Sequence, residues 1–366
     1  MKIIESNAKF SQISSIGERV RKLERDTGEE YLFLNQGVNA VVPISLDKVI
    51  PLIDFNAKEI QVYAPMKGRA KLKQAINDSY FNSSSSIDNI LIDSGGMSGL
   101  DLVFQTVEFD KIMLPSYFWG SYAHILNIRK REFGFYDSFG QLNNQAENIK
   151  NSAVLICDPN NPIGNKYDDE TLLKLIRKLN SQGTIVIIDS PYRMVFNSDN
   201  SFYEEISKLE NVILVESFSK SIGLSGQRIG FVYSQNKELI TELSIRLMYA
   251  TNGVNAFAQL LVEKLLTTEE GIAAVIDFKA RTTSDIKLNI DYLRERGFLS
   301  EVFYEDSIPQ GIFVIVNISF NKLLENRIAS VGLDFFTKKY KEEARDYSRI
   351  CVSVPHKELK KYFDKM

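Results

Sequence analysis

The chain has 366 residues, 44% hydrophobic and 25% charged, with a formal net charge of −3. That is room for one large and one smaller domain, and charge too balanced for a nucleic-acid-binding surface. No apolar run approaches the ~20 residues that cross a bilayer, and MKIIESNAKF at the start lacks the core of a signal peptide, so a cytoplasmic protein without membrane contact is expected. Two cysteines (Cys157, Cys351) and two histidines (His124, His356) exclude a disulfide scaffold and argue against a zinc site, so no metal is expected.

In chain order, Phe10, Ile13, Ile16, Val20 and Leu23 recur at helical spacing and predict a helix over 8–28, ended at Gly28. Tyr31–Leu34 reads as a short strand, followed by a loop containing Gly37. Helices are expected over 45–55 and 68–81, separated by a turn that begins at Tyr63. From there strands alternate with helical stretches. Ile90–Asp93 leads to a Gly-rich turn and a helix near Ser98; 111–114 leads to an aromatic loop. Ala153–Cys157 leads to a Pro/Asn turn and a helix over 168–179; 184–189 leads to Ser190-Pro191-Tyr192. Val212–Val215 leads to a Ser/Gly-rich loop.

This order predicts an α/β fold with a mainly parallel sheet flanked by helices. Every polar cluster follows the carboxyl end of a strand, where open α/β sheets hold ligands. After about residue 235 the pattern is helical to about 296, and strands return at 312–318 and 348–354. A large domain over 36–275 is expected, with a smaller α+β domain from both chain ends, 1–35 and 276–366.

Lys220 stands out among these clusters. It follows the buried run Val212–Val215, sits beside Ser217 and Ser219, and precedes Arg228 by eight residues. Burial and a nearby cation lower a lysine pKa and free the amine as a nucleophile or base; hydroxyls and a guanidinium suit a phosphate. Together they suggest an imine with a phosphorylated aldehyde. Asp189 closes the run Ile185–Ile188, where a carboxylate is expensive to bury alone but is compensated beside a pyridinium nitrogen. A solvated Asp capping the next turn is the alternative reading. Ser94-Gly95-Gly96-Met97-Ser98 joins a strand to a helix and offers backbone N–H groups to an anion, although a tight strand–helix connection explains it as well. Pro115-Ser116-Tyr117-Phe118-Trp119 supplies rings that could stack on a planar ligand or pack into the core.

The window Ser217-x-x-Lys220-x7-Arg228-x-Gly230, with Asp189-x-x-Tyr192 31 residues before the lysine and Asn161-Pro162-Ile163-Gly164 upstream, resembles the class I/II aminotransferases, the aspartate aminotransferase-like enzymes of fold type I. Ile163 stands where that family usually has threonine. The resemblance runs over residues 31–352 and implies pyridoxal 5′-phosphate held by Lys220. It also implies Asp189 on the ring nitrogen, with Asn161 and Tyr192 on the ring hydroxyl. Tyr117 is implied as the stacking ring, with Phe118 and Trp119 as neighbours in an open register. Gly96, Met97, Ser217, Ser219 and Arg228 would hold the phosphate. Gly37, Asn161 and Arg349 would bind the substrate, Arg349 and Gly37 at its carboxylate, and Tyr63 would reach the phosphate of a partner subunit in a homodimer with shared active sites.

The implied activity is transfer of an amino group from an L-amino acid to a 2-oxo acid. A carbon–sulfur lyase or decarboxylase on the same fold is the alternative, and a non-catalytic binding domain a third. Fold analogy alone does not separate these.

Overall fold

The computed structural model describes every residue except 147, 148, 150, 197 and 198. Fourteen strands are numbered here in chain order among the described residues: β1 Leu32–Phe33, β2 Ile90–Asp93, β3 Ile112–Pro115, β4 Phe133–Tyr136, β5 Ala153–Cys157, β6 Asn165–Lys166, β7 Ile185–Asp189, β8 Val212–Ser217, β9 Gly230–Ser234, β10 Ile308–Pro309, β11 Phe313–Val316, β12 Ile328–Ala329, β13 Val331–Gly332 and β14 Ser348–Cys351. Seven of them form the main sheet in the order β2-β9-β8-β7-β5-β3-β4. The pairs β4–β3–β5–β7–β8 are all parallel, and β9 runs antiparallel between β8 and β2.

The central strands are AVLIC, IVIID and VILVES, with nearly every side chain buried. Helices cover both faces of such a sheet, so its strands are apolar throughout rather than alternating. Strand β4, FGFY, has no alternation and carries a glycine, which is why its sequence gives no clear strand signal. The helix expected over 45–55 is absent apart from one 3₁₀ turn at Ile50–Leu52. Pro43 and Pro51 withhold backbone donors there and disfavour helix before them. The 68–81 helix forms as Ala70–Phe81.

A second apolar core gathers β11, β13 and β14, the C-terminal helix His356–Phe363 and parts of the N-terminal helix Gln12–Thr27. Its three-stranded sheet has the order β11-β14-β13, so β14 is central. The helix Glu269–Glu295 joins the two cores: Ala274 and Val275 pack on the first, Ile286, Ile290 and Leu293 in the second.

The cores also meet around the turn after β5. There β6 pairs with β10, Ile163 O accepts from Tyr304 Oη at 2.8 Å, and that hydroxyl accepts from Ile315 N at 3.1 Å. Gly164 has φ +75°, and a Cβ on it would sit 1.8 Å from the Phe313 carbonyl oxygen. Both the left-handed backbone and the contact require glycine. Gly164→Ala should therefore lose at least about 2 kcal/mol of unfolding free energy, measurable by denaturant titration; an unchanged midpoint would contradict this close approach.

Candidate active site

The carboxyl ends of β7 and β8 open into a cavity of about 390 Å³ between the two cores. Asp189 ends β7 and Ser217 ends β8, and the parallel register sets Asp189 beside Val215. Ser217 Oγ accepts from Ser219 N at 3.3 Å and lies 3.0 Å from Ser219 Oγ. That bend turns the chain into a single helical turn, Phe218–Ser221, which delivers Lys220 to the cavity wall. Burial, with smaller contributions from Arg228 and Arg349, pulls the Lys220 amine down to about 8, so it is mostly protonated at neutral pH but gives up its proton far more readily than an ordinary lysine.

Asp189 is 4% exposed, and its described hydrogen-bond partner is the Tyr122 hydroxyl. Burial pushes its carboxyl up to about 7, and the bond from Tyr122 opposes that shift only partly. A carboxyl in this state lacks a cation beside it.

Opposite it, the Gly-rich turn opens the helix Gly96–Thr106. Gly95 has φ +96°, and a Cβ there would lie 3.0 Å from Arg228 Nη2. Arg228 itself has φ +50°, a conformation a long side chain rarely adopts. Its Nη1 donates to Ser225 O at 2.9 Å and to Ser219 Oγ at 3.3 Å, and it forms no ion pair among the described residues. Gly96, Met97, Ser217, Ser219 and Arg228 thus line one end of the cavity.

Arg349 lies at the other end, on the central strand β14, and is 1% exposed. Its Cζ sits 4.1 Å from the Phe313 ring centroid and 4.7 Å from that of Phe336. Nη1 donates to Asn161 Oδ1 at 3.1 Å, Nη2 donates to Asn35 O, and Nε has no partner among the described residues. Asn161 Nδ2 in turn donates to the Tyr192 hydroxyl at 3.1 Å. Burial draws the guanidinium down to about 10. Gly37 packs its Cα on Phe313, whose ring a Cβ would meet at 2.3 Å.

Two sequence-predicted residues lie elsewhere. Tyr117 does not line this cavity. Its backbone bridges to Thr337, and its ring stacks on Tyr340 with centroids 5.8 Å apart, so it faces a different cavity past the end of β3. Trp119, two residues on, faces the Lys220 cavity instead. Tyr63 is 81% exposed, in a surface depression with Thr251–Phe257.

Sequence reasoning also missed Tyr122, one helical turn beyond Trp119 and in edge contact with it at 5.4 Å. The three-residue spacing of the two rings at a helix start was the available signal. Ser11, Ile13 and Ser14 of the N-terminal segment line the cavity too, and nothing in their local sequence announces it.

The sequence model of the family "Aminotransferase class I and II" matches residues 32–365. The chain belongs to this family. Its members use pyridoxal phosphate. The chain is 26% identical over 342 residues to a histidinol-phosphate aminotransferase of Brachyspira hyodysenteriae, covering 87% of this chain and 94% of the relative. It is 27% identical over 308 residues to an aspartate aminotransferase of Pyrococcus horikoshii, covering 79% and 73%. The fold is similar to the Thermus thermophilus aspartate aminotransferase solved with maleate (TM-score 0.83, 19% identity, 100% and 99% covered) and to an aminotransferase from Mycobacterium tuberculosis (TM-score 0.84, 17% identity, 100% and 98% covered). No helix among the described residues is long and apolar enough to cross a membrane.

The Asp189 environment makes a prediction for the cofactor-free protein. A carboxyl raised from 3.8 to about 7 by folding favours the folded state at low pH and loses that contribution as pH rises through the folded value. Asp189→Asn keeps an acceptor for Tyr122 but has no charge to desolvate. Its melting temperature should exceed that of the unsubstituted protein by a margin that grows from about pH 4 to about pH 7 and then levels off; a margin independent of pH would contradict the burial argument.

Proposed function

We propose that this chain binds pyridoxal 5′-phosphate at Lys220 and transfers an amino group between an L-amino acid and a 2-oxo acid. The observation that carries the reading is the buried carboxyl of Asp189 facing the same cavity as the low-pKa amine of Lys220. When bound, the cofactor supplies an aldehyde and a cationic ring that draws electrons from the substrate α-carbon.

The residues present fit that group. Asp189 lacks a cation and would meet the ring nitrogen. Arg228, which makes no ion pair among the described residues, and the glycines at 95 and 96 offer an anion both charge and room. Three cations, Lys220, Arg228 and Arg349, face one carboxyl, a balance that suits a phosphate and a substrate carboxylate together. Trp119 takes the stacking role in place of Tyr117. The Asn161–Tyr192 hydrogen bond presents two polar atoms suited to the ring hydroxyl.

Lys220 Nζ would be the covalent attachment point and, once released, would move the proton leaving the substrate α-carbon. Arg349, with an unpartnered Nε and a fixed plane between two rings, would orient the carboxylate against Gly37. Among the described residues the lining contains no further cation to hold a second carboxylate, which supports a substrate with an uncharged side chain. Exposed Val62 and Tyr63 support a homodimer in which Tyr63 reaches the partner's phosphate site.

The decisive experiment incubates the purified protein with pyridoxal phosphate and a panel of amino acids, following cofactor absorbance and products. The expected result is a spectral change with neutral amino acids, restored by a 2-oxo acid, and a pyridoxyl group on Lys220 after borohydride. A colourless protein would overturn the reading; release of ammonia or sulfide without a second oxo acid would redirect it to a lyase. Arg349→Lys should lower kcat/KM at least about tenfold, because an ammonium cannot reproduce the planar two-nitrogen contact.

A further inference from the structure

A second and larger cavity, about 710 Å³, lies on the far side of the Asn160–Asn161 turn and shares no lining residue with the Lys220 cavity. One wall comes from the main sheet, where Tyr117 follows β3, Asp137 follows β4 and Tyr167 follows β6. The other comes from Val302–Asp306 and Tyr340, beside the β6–β10 pair that joins the two cores.

The walls are aromatic. Tyr117 stacks on Tyr340 and meets Phe303 edge-on at 5.7 Å, while Phe139 and Tyr167 lie 4.3 Å apart. Burial, reinforced by nearby acids, pushes the hydroxyls of Tyr117 and Tyr167 up to about 12, so both rings stay neutral. Among the described residues no lysine or arginine lines the cavity, whereas Asp137, Glu305 and Asp306 do. Asp137 is already matched by Lys339 at 2.5 Å and also accepts from Ser116 and Tyr340. Glu305 and Asp306 are exposed at the rim and make no ion pair among the described residues.

One atom gives this a direction. Asn165 is 7% exposed and lines the cavity. Its Nδ2 donates to Ser307 Oγ at 3.3 Å, but its Oδ1 is buried with no partner among the described residues. A buried acceptor left unpaired is costly, and what satisfies it must be a donor. Aromatic faces attract cations, free carboxylates at the rim do the same, and an orphan acceptor calls for a donor, which a guanidinium or ammonium supplies along with its charge.

We propose that this cavity binds a small organic cation bearing N–H donors, a guanidinium or ammonium, with its charge toward Glu305 and Asp306 and an N–H on Asn165 Oδ1. The volume is within the range of small-molecule sites. A ligand there touches both cores at once, so its binding is tied to how they pack.

Benzylguanidinium is a suitable probe because it does not readily condense with an aldehyde, and benzylurea is its neutral counterpart. Titration calorimetry on the purified full chain, with any native cofactor retained, should give one site for benzylguanidinium and at least about tenfold weaker binding of benzylurea. Glu305→Gln with Asp306→Asn, both exposed and harmless to folding, should weaken benzylguanidinium about tenfold. Asn165→Leu, checked for an unchanged melt, should weaken it about fivefold. Benzyltrimethylammonium, which has the charge but no N–H, should bind more weakly than benzylguanidinium. Equal affinity for benzylurea, indifference to the Glu305/Asp306 pair, or no heat up to about 10 mM would each overturn the proposal.

Discussion

A guanidinium buried without a counter-charge is the constraint on which the active-site end of this molecule depends. Arg349 sits on the middle strand of the smaller sheet, clamped between Phe313 and Phe336, and among the described residues its hydrogen-bond partners are neutral oxygens of Asn35 and Asn161. Those two contacts come from opposite parts of the chain: a loop near residue 35 and the turn after β5. The hydrogen-bond line then continues through Asn161 to Tyr192. One desolvated cation therefore ties together the N-terminal loop, the main sheet and the C-terminal strand. Losing any of its acceptors would leave a buried charge with less compensation than it has now.

The cavity repeats this pattern of uncompensated groups. Asp189 is a carboxyl pushed up by burial, Lys220 an amine pushed down by it, and Arg228 a guanidinium with no ion pair among the described residues. Ordinary packing avoids each of these states. Their concentration in one cavity marks it as a site shaped for a ligand carrying the missing charges. One buried cluster outside the cavity has its charges paired. Asp158 and Arg193 pair directly, with Lys166 and Asp169 completing the network and the Phe202 ring 3.7 Å from the guanidinium carbon. That cluster holds the turn after β5 in place, and it is structural because its charges already satisfy one another.

The family's chemistry depends on bringing polar ends of separate strands to one edge, and the main sheet does so with little freedom. Cys157 at the end of β5, Asp189 at the end of β7 and Val215 of β8 share a rung, and β8 runs on two residues to Ser217. Antiparallel β9 returns Gly230 to the same rung as Ser217, where a side chain would strike Glu216 O at 2.4 Å. Backbone register therefore sets the distance between the lysine turn and the Gly-rich turn.

Much of this was legible from one chain. Strands β2, β5, β7 and β8 are uninterrupted apolar runs ending in polar residues, and the spacing of Lys220, Arg228, Asp189 and Asn161 carries the family resemblance by itself. Sequence alone determined which chemistry-bearing residues stand at strand ends, because local hydrophobicity and turn residues decide where strands stop. It did not decide which way a side chain faces beyond the end of a strand. Tyr117 and Trp119 are both aromatic and two residues apart, and the pairing of this segment with Phe336 and Thr337, more than two hundred positions away, accompanies Tyr117 in a different cavity and Trp119 in the Lys220 cavity. The partners of Arg349 and Asp189, and the seating of the N-terminal helix over the site, were likewise settled by packing between segments distant in the chain. Those contacts exist only once the two cores have closed on each other, and no local pattern encodes them.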